Sequence, residues 1–353
     1  MTERALDPFK GPWHVGWPAS QPEFVVLVDP ISSGYPEVQE LIARARAVHV
    51  LIGRPTVPEA SAVVELVRRT EVRRIVSVGA GLVCDTGKLA AYHYREQTDE
   101  LLEHCGMPCG PEPYRAVTPF SMYEGPPGNR DAVWEDWLRP NEVALLPGLL
   151  ARMDQETVNL FAGDSLVHAI ESLLSKLSNS DSEPYALAAA ETFVTAADDE
   201  QSDRVALMIA SMNAARAFDV TKLGLAHALS RPLGIAAGIS HDGFNLMLGP
   251  RVINYWGSSI IAESPLRHFT RVEPTAAAWS ALVDGYRRRA ALPDALRDAG
   301  VTPADVDAAL DWAPHSSGIP NLPKPLEPGD LQRIMQTAWE GTMTPARGST
   351  VSA

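Results

Sequence analysis

The chain has 353 residues, with 30 Lys and Arg against 44 Asp and Glu, a formal net charge of −14 and 45% hydrophobic residues. That length exceeds a single ordinary hydrophobic core, so two domains are expected. The acidic balance, with a pI near 5.1 and no basic stripe, argues against nucleic acid or an anionic membrane as partner and leaves small molecules or proteins.

The opening Met-Thr-Glu-Arg-Ala-Leu-Asp-Pro lacks the charged-then-apolar profile of a signal peptide. No uninterrupted apolar run reaches membrane-spanning length, so a soluble, cytoplasmic protein is expected. The Pro-rich stretch with Trp13 and Trp17 reads as an arm packed on the rest of the fold. Phe24–Asp29, Ala47–Ile52 and Arg74–Val78 are short apolar runs expected as buried strands, with helix-period segments at 37–46 and 58–70 between them. Alternating strands and helices imply a parallel, Rossmann-like sheet with helices on its faces.

The segment Ser77-Val-Gly-Ala-Gly-Leu-Val-Cys-Asp-Thr-Gly-Lys88 leaves a predicted strand and opens a predicted helix. Gly79 and Gly81 would let the backbone approach a pyrophosphate, drawn by the N–H groups and dipole of the helix N-terminus. The same pattern also serves as a plain tight turn. It is not a P-loop, because the glycine spacing before Lys88 is one residue too long and Leu89 stands where a Ser or Thr would bind magnesium. Cys84, Cys105 and Cys109 form no paired framework, which suits a reducing compartment. Cys105 and Cys109 read as structural thiols. Residues 106–128 are dense in Pro and Gly, and loops are expected there.

Past Pro147 the character changes to Ala, Leu and Ser, with helix patterns at 156–178, 184–197, 203–217, 221–230 and 274–291. An all-helical second domain is expected, divided from the α/β domain near residue 148 (1–148 and 149–353). The tail from Thr344 is small and polar and is expected to be mobile.

Within that helical half, Asp164 and His168 are i and i+4 on one predicted helix and project from the same face, a two-point clamp for a metal ion. With His227 in Leu-Gly-Leu-Ala-His and His241 in Ile-Ser-His-Asp-Gly they make a mixed O/N ligand set that suits Fe(II) or Zn(II) better than Mg or Ca. A single histidine on an apolar helix face is ordinarily a hydrogen-bonded core group, and it is the combination that points to a metal. His14, His93, His104, His268 and His315 are scattered and read as surface or structural groups.

These motifs together resemble the iron-containing alcohol dehydrogenases, within the larger dehydroquinate synthase-like group. The resemblance rests on residues 78–88, 163–172 (Gly-Asp-Ser-Leu-Val-His-Ala-Ile-Glu-Ser), 222–234, His241 with Asn245, and Asn321-Leu-Pro-Lys-Pro-Leu. It implies that Asp164, His168, His227 and His241 hold one divalent metal and that NAD(H) binds at the glycine turn through Gly79, Ala80, Gly81, Leu82 and Asp85. Ala80 and Leu82 depart from the family's Gly-Gly-Gly-Ser turn. Asp29 matches an acidic position that faces the adenosine ribose, which favours NAD over NADP; as the residue before Pro30, Asp29 reads equally as a turn former. The family's Pro-Thr-Thr segment is reduced here to 117–125, leaving Thr118 and Ser121 as polar contacts for the cofactor. Arg231 stands where the family commonly has a proton-relaying His. Arg suits a carboxylate or phosphate, and it equally suits a helix C-terminus.

The activity implied is metal-dependent, NAD-linked interconversion of an alcohol with an aldehyde or ketone, with the metal and nicotinamide meeting in an inter-domain cleft and the ion acting as Lewis acid. The departures also match a natural-product subgroup acting on a charged or peptide substrate. A dehydroquinate synthase-like lyase and a non-catalytic, metal-retaining protein are the alternatives, and a homodimer is expected from the resemblance alone.

Overall fold

The computed structural model describes residues 13–18, 23–125, 130–197, 199, 202–233 and 240–347. The chain divides into two compact units, Phe9–Met153 and Asp154–Ala353. Among the described residues no helix is long and apolar enough to cross a membrane.

The first unit is built in the order β1 (Trp13–Val15), β2 (Val25–Val28), α1 (Pro36–Arg44), β3 (Ala47–Val50), α2 (Val57–Thr70), β4 (Arg74–Gly79), α3 (Gly81–Thr98), β5 (Glu103–Pro108), β6 (Phe120–Glu124), β7 (Arg130–Trp134), β8 (Glu142–Leu145) and α4 (Pro147–Leu150). Six strands form a parallel sheet in the order β1-β8-β5-β4-β2-β3. The central β2 and β4 are buried along their whole length, as β-branched runs covered on both faces require. Thr56 caps α2 by accepting a hydrogen bond from the Glu59 N–H at 3.2 Å, and the Val63 and Val67 face of α2 joins Leu27, Ile75 and Leu89 in the core.

Two expectations are corrected in this unit. Residues 106–128 are not all loop: β5 lies between β4 and β8, and β6 pairs with β7 as an antiparallel hairpin. Glu-His-Cys-Gly-Met-Pro has no β-branched residue, and the pairing on both sides supplies what composition does not. The Trp13 arm is an edge strand whose indole is buried.

Beneath the turn between β4 and α3 lies a cluster of buried ions. Lys88 Nζ is 3.0 Å from Asp85 Oδ1 and donates to the carbonyl of Arg115 at 3.0 Å and to that of Phe120. Arg115 pairs with Asp85 and, at 2.8 Å, with Glu112. Burial alone would hold the Arg115 guanidinium down; Asp85 and Glu112 outweigh it and push it well above its ordinary range.

The second unit contains α5 (Gln155–Leu174), α6 (Glu183–Ala196), α7 (Arg204–Thr221), α8 (Leu225–Leu233), α9 (His241–Glu263), α10 (Ala276–Arg289), α11 (Pro303–Trp312) and α12 (Asp330–Glu340). α5, capped by Asp154 on the Thr157 N–H at 2.7 Å, is buried all round from Phe161 to Leu174, the mark of a central helix. α9 is not legible from its sequence because Gly243, Gly249 and Pro250 interrupt the pattern, and at Gly257 its backbone kinks (φ 77). The tail expectation is corrected for its first residues: Thr344 is buried and the Arg347 N–H donates to the Tyr255 carbonyl at 2.7 Å. Residues 348–353 lie outside the described residues.

Replacing Asp85 by Ala strands Lys88 and Arg115 without their shared counter-ion. The expected loss is about 3–5 kcal/mol, read as a lower denaturation midpoint in urea, while Asp85→Asn costs less because it keeps an acceptor for the Met122 N–H (3.2 Å).

Candidate metal centre

α5 carries Asp164 and His168 one turn apart, with Oδ2 and Nδ1 3.5 Å from each other and both side chains 1% exposed. α8 brings His227 to the same place: its ring stacks on His168 with centroids 4.5 Å apart, and its Nε2 is 3.9 Å from Asp164 Oδ1. The donor atoms of Asp164, His168 and His227 all lie within 4.8 Å of one another. His241, the first residue of α9, stands half-buried at the rim, its ring 5.4 Å from that of His227.

Two further side chains tie the set together. Asn245, one turn along α9 from His241, places its amide nitrogen 2.8 Å from Asp164 Oδ1, 2.5 Å from His227 Nε2 and 3.4 Å from His241 Nε2. Ser230 on α8 donates to Asn245 Oδ1 and lies 3.3 Å from His241 Nδ1. Glu171, on the next turn of α5, places Oε2 within hydrogen-bond distance of His227 Nδ1, at 2.7 Å. Asp164 and Glu171 are thus two buried carboxylates on one helix, in contact with imidazoles, an amide and backbone N–H groups. A divalent ion at the focus of Asp164, His168 and His227 would supply the positive charge this ensemble calls for, and the O/N donors match Fe(II) or Zn(II). The residues fit such an ion, which would exchange with the Asn245 amide.

Sequence reasoning gave no role to Glu171, which stands in the 163–172 stretch, and named Asn245 only as a match beside His241. The signal for Glu171 was its spacing: 164, 168 and 171 share one helical face.

The residues expected at the cofactor lie in the first unit. Asp29 takes the Ser32 N–H at 2.7 Å and the Ala80 N–H at 3.3 Å, so the turn role and the proximity to the glycine turn coexist. The Gly81 N–H donates to the Pro111 carbonyl at 2.9 Å. A Cβ on Gly81 would lie 2.6 Å from both the Glu112 carbonyl oxygen and Arg115 Cγ, so this glycine is demanded by the chain's own packing. Leu82 is half-buried at the start of α3. Asp85 is held in the ion cluster; Ser121 Oγ donates to the Asp85 carbonyl at 2.8 Å and Thr118 Oγ1 accepts from Lys88 at 3.3 Å. A pyrophosphate at the turn would fit its position, after β4 and before α3, and would have to displace the Pro111 carbonyl from the Gly81 N–H. Arg231, exposed and one turn beyond His227 on α8, has its guanidinium 5.2 Å from the centre of the Trp312 ring.

A family model described as "Fe-containing alcohol dehydrogenase family, C-terminal" matches residues 162–339, just over half of the 353. Comparison with curated proteins gives no match. Among solved structures, maleylacetate reductase from Rhizobium sp. strain MTP-10005 is similar at 22% identity and a TM-score of 0.75, over 91% of this chain and 90% of that one. Sulfoacetaldehyde reductase from Bifidobacterium kashiwanohense, solved with NAD+, is similar at 21% identity and 0.74, over 90% and 91%. An iron-containing alcohol dehydrogenase from Thermococcus thioreducens is similar at 19% identity and 0.74, over 90% and 93%. At these identities the likeness is one of fold; the family match covers the stretch that holds Asp164, His168, His227 and His241. The chain belongs to the Fe-containing alcohol dehydrogenase family of oxidoreductases.

Proposed function

We propose that the protein interconverts an alcohol with an aldehyde or ketone that carries an acid group, using Fe(II) held by Asp164, His168, His227 and His241 and NAD in preference to NADP. The observation that carries this reading is the convergence of Asp164, His168 and His227. When bound, the ion supplies Lewis acidity that polarises the substrate oxygen. The chain's own work is to hold that ion in a site walled by Phe218, whose ring lies 4.9 Å from that of His168, and to orient its ligands through Asn245 and Ser230.

Arg231 supports the choice of an acidic substrate. It lies on the same helix as His227, four residues on, and Trp312 braces its guanidinium. Guanidinium binds carboxylate, sulfonate or phosphonate through paired N–H donors and does not release a proton near neutral pH, so an anchoring role suits it better than a relay. The maleylacetate and sulfoacetaldehyde reductases among the similar folds are named for carbonyl compounds bearing such groups. A peptide C-terminal carboxylate offers the same chemistry.

Asp29 beside the glycine turn supports NAD, since its carboxylate opposes a 2′-phosphate. The engaged N–H groups of Ala80 and Gly81 favour one rival, a metal-retaining protein that has given up the cofactor.

Metal analysis of purified protein tests the core of the proposal. Bound divalent metal is expected in the wild type and lost on Asp164→Ala or His227→Ala with helix content preserved. Protein without metal, and without any absorbance change on mixing alcohols or aldehydes with NAD(H), overturns it.

Loss of one charge-assisted contact costs about 1.5–3 kcal/mol, so Arg231→Ala is expected to raise KM roughly 10- to 150-fold for acidic aldehydes and to leave neutral ones little changed. Equal effects on both classes remove the anchor.

For the cofactor, Asp29→Asn keeps an acceptor for the Ser32 N–H and removes the charge that opposes a 2′-phosphate, so the preference for NADH over NADPH is expected to fall by about 1 kcal/mol, roughly fivefold in the ratio of Kd values, measured by fluorescence titration. Wild type and variant both failing to bind NADH favours the rival.

A further inference from the structure

We propose that Glu171 is the positioning residue of this centre: it sets the tautomer of His227 and fastens the start of α8, so that the Nε2 lone pair faces Asp164. The proposal rests on the reading of Asp164, His168 and His227 as metal ligands.

The carboxylate of Glu171 is buried and accepts three short hydrogen bonds. Oε2 takes the Gly224 N–H at 2.8 Å and His227 Nδ1–H at 2.7 Å, and Oε1 takes the Ala226 N–H at 2.7 Å. An ionised carboxylate only accepts, so the proton of His227 sits on Nδ1. Nε2 is left as an acceptor, and it is this atom that lies 2.5 Å from the Asn245 amide nitrogen and 3.9 Å from Asp164 Oδ1. A metal-binding imidazole needs that arrangement, the far nitrogen donating to a carboxylate and the near one bare.

The backbone contacts have a separate consequence. His227 is the third residue of α8, where backbone N–H groups have no partner within the helix. Glu171 supplies an acceptor and a negative charge at this positive end from a neighbouring helix. The chain is drawn tightly into place to allow it. A Cβ on Gly224 would lie 2.8 Å from the Glu171 carboxyl carbon, and one on Gly318 would strike the Leu223 carbonyl oxygen at 1.6 Å. Lys222 just before adopts φ 60 and ψ 168, a conformation costly for any residue with a side chain. A turn held in that shape fixes His227 to within the tolerance a ligand requires, and Glu171 is the group on which it closes.

A purely structural role and a positioning role part company in Glu171→Gln. The amide keeps the shape but offers an acceptor on one side only: with its NH2 in place of Oε2 it favours the His227 tautomer protonated on Nε2, which presents no lone pair to a metal, and with its NH2 in place of Oε1 it faces the Ala226 N–H and loosens the start of α8 that carries His227. Co(II) titration of metal-stripped protein against a chelator, with thermal melting of the stripped form alongside, is the experiment. The expected result is a Co(II) affinity about 10- to 100-fold weaker than wild type and an altered visible Co(II) spectrum, with the stripped variant still melting in one cooperative transition. Wild-type affinity within threefold in the variant overturns the positioning role. Should Glu171→Gln not fold, nitrogen-15 NMR of the histidines in the intact wild type decides: a proton on Nδ1 of His227 is expected, and one on Nε2 overturns the proposal. If wild type itself takes up no Co(II), the metal reading and this proposal fall together, an outcome distinct from weak binding by the variant alone.

Discussion

Holding a carboxylate and two imidazoles within 4.8 Å of one another, out of water, is the constraint around which the helical unit is arranged. An unscreened carboxylate in a helix core is costly unless charge and hydrogen bonds answer it. Three helices contribute to that answer: α5 supplies His168 one turn on, α8 supplies His227 and Ser230, and α9 supplies Asn245 and His241. The polar residues of α5 therefore need not face solvent, and the helix can be buried on every side. Packing and chemistry are the same fact here, because the face that would expose a polar group elsewhere is the face that gathers these donor groups.

The first unit solves a different problem. Its glycine turn is closed from below by Asp85, Lys88, Arg115 and Glu112, a set of two negative and two positive groups with little exposure. Such a balanced set is stable only when complete, and it draws the 109–113 segment onto the turn, where the Cys109 N–H meets the Gly79 carbonyl and Pro111 meets Gly81. Glycines that look made for a phosphate are thereby also required by the protein's own backbone. Lys88 illustrates the point: a lysine after a glycine-rich turn invites a phosphate role, yet it is wholly buried among the carbonyl oxygens of Arg115 and Phe120.

Much of the fold was legible because period and composition agree with burial. The Val-rich strands β2 and β4 and the helices α2, α5 and α6 fall within a few residues of where spacing puts them. β5, β8 and the β6–β7 hairpin were not, since Glu103–Pro108 contains no strand-forming residue and owes its conformation to β4 and β8 beside it. α9 was hidden for the converse reason, its glycines and Pro250 signalling breaks that tertiary packing overrides. His49, passed over in the sequence, finds Glu59 at 2.6 Å, a pairing no local pattern announces.

From the sequence alone came the expectation of two parts, the i and i+4 relation of Asp164 and His168, and His227 and His241 as the further candidate imidazoles. Each follows from local rules, a helical repeat or a motif, that hold whatever the rest of the chain does. Tertiary structure alone decided that His227 stacks on His168, that Asn245 stands between Asp164 and His227, that Glu171 grips both His227 and the start of α8, and that Glu112 lies over Gly81. Those relations join residues as much as 81 positions apart. Only the packing of whole helices, which no local spacing encodes, brings such groups within reach of one another.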